Sequence, residues 1–168
     1  MSDTSFLEIG RRMERALQTA ELLRSSLGSA AELEPCLQIL LQIEDSSITY
    51  RSRYQAVLRT DLVLQLLIAD DSNPRSVAFQ LAALLHQIHR LQEREQGSQA
   101  SAESALALKA LTSVRSSDME DLSRRDPEGN FRPLDELADD VKTTLWQLSD
   151  TLTARYFSNL TACRLTAS

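Results

Sequence analysis

Apolar residues recur every three or four positions along most of this chain, which is the spacing of amphipathic α-helices. Turn-forming residues divide the pattern at 70–76 and again at 126–130, where Asp, Pro, Glu, Gly and Asn follow one another. Residues 61–69 are apolar on nearly every side, so we expect this short helix at the centre of the fold. Helices are predicted near residues 5–28, 30–44 (continuing towards 59), 61–69, 74–95, 102–123 and from 134 onwards.

The pattern predicts an all-α fold, a bundle of about six helices forming a single domain over residues 1–168. Only four Gly, four Pro and 5% aromatic residues are present, which argues against an all-β fold with its many turns. Asn73 followed by Pro74 is typical of a helix start, so we expect the fourth helix to begin there.

One polar segment interrupts the apolar pattern at residues 45–54. The apolar run before it ends at Ile43 and the run after it resumes at Val57, and both project towards the same side as its polar face. We therefore expect that face to point into the fold, where each unpaired polar group costs about 1–3 kcal/mol. At about 100° per residue, the side chains that share the face are Ser46, Ser47, Tyr50, Arg53 and Tyr54.

Either partners inside the domain or a bound ligand must satisfy this polar cluster. Glu14 lies at the edge of the first helix's buried stripe, and we expect it to reach inward to an arginine of another helix. Arg75 can hold a carboxylate or phosphate beside the fourth helix, or it can pair with Asp70 or Asp71. The candidate ligand-binding residues are Arg11, Glu14, Arg15, Ser46, Ser47, Tyr50, Arg51, Arg53, Tyr54, Asn73 and Arg75.

The last predicted helix carries a second apolar face. Trp146, Phe157 and Leu160 lie well off the stripe that its other apolar residues form. Grouped surface aromatics typically mark a partner interface. We predict that these three residues form one.

Composition limits the classes of partner and compartment. Net charge is −6, which argues against nucleic-acid binding, and no 18-residue apolar run predicts a membrane span. Cys36 and Cys163 have no neighbouring cysteine at metal-ligand spacing, so we expect reduced, buried thiols in the cytoplasm, with a disulfide as the alternative. His86 and His89 lack an acidic or cysteine co-ligand at suitable spacing. We predict no metal and no cofactor.

No sequence motif specifies a reaction. The chain has no Ser/His/Asp order, no Cys/His pair, no phosphate-binding loop and no metal-ligand spacing. We therefore expect no catalysis by this chain alone.

Four segments resemble the bacterial alpha-E family, which is named after a Glu-Arg motif. They are Gly-Arg-Arg-Met-Glu-Arg-Ala at 10–16 with Ala-Glu-Leu-Leu-Arg at 20–24, Asp-Ser-Ser-Ile-Thr-Tyr-Arg-Ser-Arg-Tyr at 45–54, Asn-Pro-Arg-Ser-Val-Ala-Phe-Gln-Leu at 73–81, and Leu-Ser-Asp-Thr-Leu-Thr-Ala-Arg-Tyr-Phe at 148–157. The resemblance is to the downstream half of a longer domain whose upstream half carries its own Glu-Arg motif. We therefore expect a truncated form or the product of a split gene. Arg12 stands where the family often has an aromatic residue.

The resemblance also implies partners. Family members typically lie beside, or are fused to, circularly permuted ATP-grasp proteins, and transglutaminase-like peptidases and proteasome-like hydrolases are frequent gene neighbours. This implies a bacterial system that forms and cleaves amide or peptide bonds, with the upstream half of the alpha-E domain as a further partner.

We accordingly predict a non-catalytic accessory domain that works with an ATP-grasp ligase. Its polar Arg, Tyr and Ser pocket is expected to bind a carboxylate-bearing peptide or metabolite. One alternative is a structural helical module in which the same residues satisfy one another. A second alternative is one part of a composite enzyme active site.

Overall fold

The computed structural model describes residues 3–55, 57–94 and 101–157, and within these ranges the chain forms helices and turns without a strand. The predicted all-α fold is thereby confirmed. None of the helices described is long and apolar enough to cross a membrane. The elements are α1 (Asp3–Ser29), α2 (Leu33–Ile43), α3 (Ser47–Tyr54), α4 (Thr60–Leu64) running into a π-helical turn (Gln65–Ala69), α5 (Val77–Arg94), α6 (Ala102–Arg115), α7 (Met119–Leu122) and α8 (Arg132–Tyr156).

The four long helices form the body of the bundle. Helix α1 packs against α5 and α8, and α6 packs against the same two helices, so the four surround one core. The α4 segment with its π-helical turn contacts α2, α5, α6 and α7. Its central position is confirmed by five side chains that are no more than 2% exposed, namely Val63, Leu64, Leu66, Leu67 and Ile68.

The predicted continuation of the second helix towards residue 59 is wrong. Helix α2 ends in a Schellman motif, in which the Ser46 N–H donates to the Leu41 carbonyl (2.8 Å) and the Asp45 N–H donates to the Gln42 carbonyl (3.1 Å). Asp45 lies in the left-handed region with φ 49°, a conformation that Asp tolerates better than most residues do. The chain therefore turns before α3 begins.

This turn also changes which residues meet the core. Ile43 and Val57, which were expected to project inward beside the polar face, are 59% and 68% exposed. The polar segment itself does reach the core, because Ser46 and Tyr50 are each only 1% exposed. The inward direction predicted for these two side chains is correct, whereas the inward direction predicted for Arg53 is wrong, because its side chain is exposed. The apolar neighbours used to infer the direction also point to solvent.

The fourth helix begins three residues later than Asn73 and Pro74 indicated. Helix α5 starts at Val77, and Ser76 caps it by accepting a hydrogen bond from the Phe79 N–H at 3.0 Å. Asn73 instead closes a turn, since its Oδ1 accepts from the Arg75 N–H at 3.1 Å.

The predicted helix over 102–123 is divided in two. Helix α6 ends at Arg115, and Asp118 caps the short α7 by accepting from the Glu120 N–H at 2.9 Å. Together with the break after α2, this division raises the predicted six helices to eight in the described part of the chain.

Candidate functional site

Helix α3 brings the polar segment into two different surroundings. At its centre, the buried Tyr50 hydroxyl donates to the Val57 carbonyl (2.9 Å) and accepts from the Arg59 N–H (3.1 Å). The Tyr54 ring lies tilted against the Tyr50 ring, with 5.2 Å between their centroids. The two hydrogen bonds of the Tyr50 hydroxyl therefore fix the segment that connects α3 to α4.

One side of α3 faces the 70–76 turn and is closed by internal partners. Arg53 forms an ion pair with Asp70, and its Nη2 donates to the Ser72 hydroxyl at 2.8 Å. The Asp70 Oδ1 also accepts from the Ser72 N–H (2.9 Å) and hydroxyl (2.7 Å). Burial alone raises the pKa of Asp70, but the hydrogen bonds from Ser72 and the Arg53 guanidinium outweigh it and hold the pKa below its ordinary value.

The same turn is tied to the end of α2. The Asn73 side chain is buried and donates to the Leu66 carbonyl (3.0 Å) and to the Ser46 hydroxyl (3.4 Å). Arg75 pairs with Asp45 at 3.5 Å, whereas Asp71 pairs with Arg115. The expectation that Arg75 pairs with Asp70 or Asp71 is therefore wrong, because Asp70 pairs with Arg53 and Asp71 pairs with Arg115.

A half-buried carboxylate lies behind this network. Glu44 accepts a hydrogen bond from the Thr19 hydroxyl of α1 at 3.4 Å, and the Thr19 hydroxyl also lies 3.4 Å from the Arg75 carbonyl. Burial raises the pKa of Glu44, and the Thr19 hydrogen bond and the charge of Arg75 only partly oppose it.

The three candidates on α1 do not join the α3 cluster. Glu14 is exposed and accepts from Gln18 of its own helix at 3.3 Å, so the prediction that it reaches inward is wrong. Arg11 pairs with Glu8 at 3.0 Å, and Arg15 is exposed. The inward arginine of α1 is Arg12, whose Nη1 donates to the buried Gln80 side chain at 3.2 Å.

The other side of α3 opens onto a cleft between α2 and α3. Its volume is about 670 Å³, within the range of small-molecule sites. Leu41, Tyr50 and Leu58 supply its apolar floor, and polar side chains supply the rest of the wall. The lining residues are Glu34, Gln38, Leu41, Gln42, Ser47, Tyr50, Arg51, Gln55 and Leu58.

Of the predicted site residues, Ser47, Tyr50 and Arg51 line this cleft. Arg51 is exposed and forms no ion pair within residues 3–55, 57–94 and 101–157. Sequence reasoning missed the contribution of α2. A signal for it exists, since Glu34, Gln38 and Gln42 recur every four residues and so share one helical face.

Of the predicted interface residues, Trp146 lies on α8 and Phe157 follows its last residue. Trp146 is 58% exposed, and the Lys142 ammonium lies 5.0 Å from its ring centroid. Phe157 is 45% exposed and packs edge-on against Phe6, with 5.3 Å between centroids. Leu160 lies outside the described residues.

The thiol of Cys36 is free and half-buried, and it donates to the Ser26 carbonyl at 3.4 Å. Burial raises its pKa, which makes it a poor nucleophile. Cys163 lies outside the described residues.

The described residues form an all-helical domain in which one side of α3 is closed by internal partners and the other side opens onto a cleft. In the described ranges, no group of three or more His, Cys, Asp or Glu side chains gathers as metal ligands do. The chain belongs to the Alpha-E family, described as a predicted alpha-helical domain with a conserved ER motif, and the match covers residues 2–157.

The chain is similar to uncharacterised proteins of Mycobacterium tuberculosis and Mycobacterium bovis, each 29% identical over 154 residues. The match covers 89% of this chain but 17% of each relative, so the chain spans about one sixth of the length of the curated relatives it matches. No solved structure matches the chain significantly.

Proposed function

We propose that this chain is a non-catalytic accessory domain of an amide- or peptide-forming system, and that its α2–α3 cleft binds a carboxylate-bearing peptide or metabolite. The observation that carries the proposal is the position of Arg51. It lines the cleft and, in the part of the chain that the structure describes, no carboxylate pairs with it.

The physical basis is charge complementarity. A guanidinium presents planar donors that match the two oxygens of a carboxylate. Arg53 and Arg75 are already neutralised by Asp70 and Asp45, so they attract a ligand less than Arg51 does. The apolar floor of the cleft adds surface on which the rest of a ligand can be buried.

The chemistry of the lining favours binding over catalysis. Glu34 is the one acid among the described residues that line the cleft, and that lining contains no His or Cys. General acid–base catalysis and nucleophilic catalysis both need a second group held within hydrogen-bond reach. A composite active site, completed by a partner protein, is the alternative that this lining leaves open.

The proposed partner is a circularly permuted ATP-grasp protein, as the family resemblance implies, in the cytoplasm where ATP is available. The exposed Trp146 on α8 is the proposed contact, because Trp is among the residues that contribute most to interfaces.

Ligand binding can be tested by NMR titration with N-acetyl-trialanine, which has a free carboxylate, and with its C-terminal amide. We expect the carboxylate form to bind more tightly, and Arg51→Gln to weaken it about tenfold while the amide is unaffected. Arg124→Gln is the matched control, since Arg124 is exposed and does not line the cleft. Equal binding of both peptides, or equal losses in both variants, contradicts the proposal.

The partner can be tested separately by a pull-down with the ATP-grasp protein encoded nearest to this chain. We expect Trp146→Ala to reduce capture. Leu108→Ala is the control, because Leu108 is similarly exposed on α6. If the folded wild-type chain captures no ATP-grasp protein, the proposed partner is wrong. The proposed ligand of the cleft is tested independently by the peptide titration.

A further inference from the structure

We infer that the ligand of the α2–α3 cleft is a short zwitterionic peptide, with its carboxylate at Arg51 and its ammonium group at Glu34. The inference rests on the proposed function and narrows its substrate class. It is carried by three features of the cleft, namely its two charges, its row of amides and its length.

The first feature is a pair of opposite charges that do not neutralise each other. Glu34 is exposed on α2 and Arg51 is exposed on α3. Both line the cleft, yet no ion pair joins them, and Glu34, like Arg51, has no ion-pair partner among the described residues. A ligand that carries only negative charge meets repulsion from Glu34. One that carries both charges is complementary to the two walls.

The second feature is a set of primary amides. Gln38, Gln42 and Gln55 line the cleft. Each side-chain amide donates through its NH₂ and accepts through its carbonyl, which matches the donor and acceptor of every peptide unit. These groups can pair with a peptide backbone whatever side chains it carries.

The third feature is length. From Glu34 to Gln42, the cleft face of α2 extends over two helical turns, which is about 12 Å at 1.5 Å per residue. An extended peptide rises about 3.3 Å per residue, so the face matches about three or four residues. The floor of Leu41, Tyr50 and Leu58 carries no charge, and small apolar side chains can rest on it.

The test compares trialanine with N-acetyl-trialanine by titration calorimetry on the wild-type chain, Glu34→Gln and Glu32→Gln. Acetylation removes the ammonium charge and keeps the carboxylate. We expect the wild type to bind trialanine about fivefold more tightly, the preference that one exposed ion pair gives. Glu34→Gln should abolish this preference, because it weakens the binding of trialanine and leaves the binding of the acetylated peptide at least as tight as in the wild type. Glu32→Gln should retain the preference, because Glu32 precedes α2 and does not line the cleft.

Two results overturn the inference. One is equal binding of the two peptides by the wild type, and the other is a preference that survives Glu34→Gln. In either case the proposed function stands if Arg51→Gln still weakens the acetylated peptide, so the two failures can be told apart. Free alanine provides a third arm, and binding of alanine as tight as that of trialanine would also overturn the assignment of a peptide. Thermal melts of each variant confirm that it is folded.

Discussion

Arg51 and Arg53 lie two residues apart in one short helix, and their surroundings differ completely. Arg53 is held by Asp70 and Ser72 of the following turn, whereas Arg51 lines an open cleft. At 3.6 residues per turn, positions two apart point about 200° from each other, so α3 separates them. An arginine-rich segment is therefore not one uniform site. Arg53 has a counter-charge supplied by another element, whereas Arg51, which lines the cleft, has none among the described residues.

The largest effect is expected on the closed side. Asp70→Ala removes the carboxylate that Arg53 and Ser72 share, and we predict a loss of about 1–3 kcal/mol in the free energy of unfolding. Urea unfolding measures it. Asp71→Ala is the matched control, because its pair with Arg115 is solvent-exposed and contributes about 1 kcal/mol or less. Equal stabilities of the two variants would show that the closed side is not a structural network.

A smaller effect is expected at the centre of α3. Tyr50→Phe keeps the buried ring but leaves the Val57 carbonyl and the Arg59 N–H without their partner. We predict a loss of about 1–2 kcal/mol, measured by thermal and urea unfolding. Tyr54→Phe, in the half-buried ring beside it, should change stability by less than about 0.5 kcal/mol. A Tyr50→Phe variant as stable as Tyr54→Phe would mean that the hydroxyl contributes nothing to holding the link to α4.

The smallest effect concerns Glu44, behind the closed side. Its pKa is raised above the ordinary 4.5 chiefly by burial, so the folded state binds a proton more tightly than the unfolded state does. Stability contributed by this group is present below pH 4.5 and is lost as pH rises through the raised pKa. Glu44→Gln should therefore raise the melting temperature slightly at pH 7. It should also make the melting temperature less dependent on pH above pH 4.5. A lower melting temperature at pH 7 would contradict this.

The sequence pattern predicts the fold class well and the breaks within it poorly. The long helices follow from apolar spacing, which burial enforces over many turns. The break after α2 depends on one left-handed residue, Asp45, and on two hydrogen bonds that close the turn. Periodicity carries no information about such a turn, and an Asp there indicates one only weakly.

The candidate site was predictable only in part, because periodicity does not show which distant residues meet in the folded chain. Asn73 and Ser46 were both candidate ligand-binding residues, and the structure joins them by a hydrogen bond. The partner of Arg53 could not be identified, because Asp70 is 17 residues away and only tertiary packing brings the two together. The α2 wall of the cleft went unnoticed because a polar row such as Glu34, Gln38 and Gln42 is typical of any solvated helix face.

The proposed division of α3 into a structural arginine and a ligand-binding one can be tested in a single experiment. Melting temperature and N-acetyl-trialanine affinity are determined in parallel for Arg51→Gln and Arg53→Gln. We predict that Arg51→Gln has the melting temperature of the wild type but binds N-acetyl-trialanine more weakly. Arg53→Gln should melt at a lower temperature and keep wild-type affinity at temperatures where it is folded. The reverse pattern, or loss of both properties in both variants, would contradict this division of roles between Arg51 and Arg53.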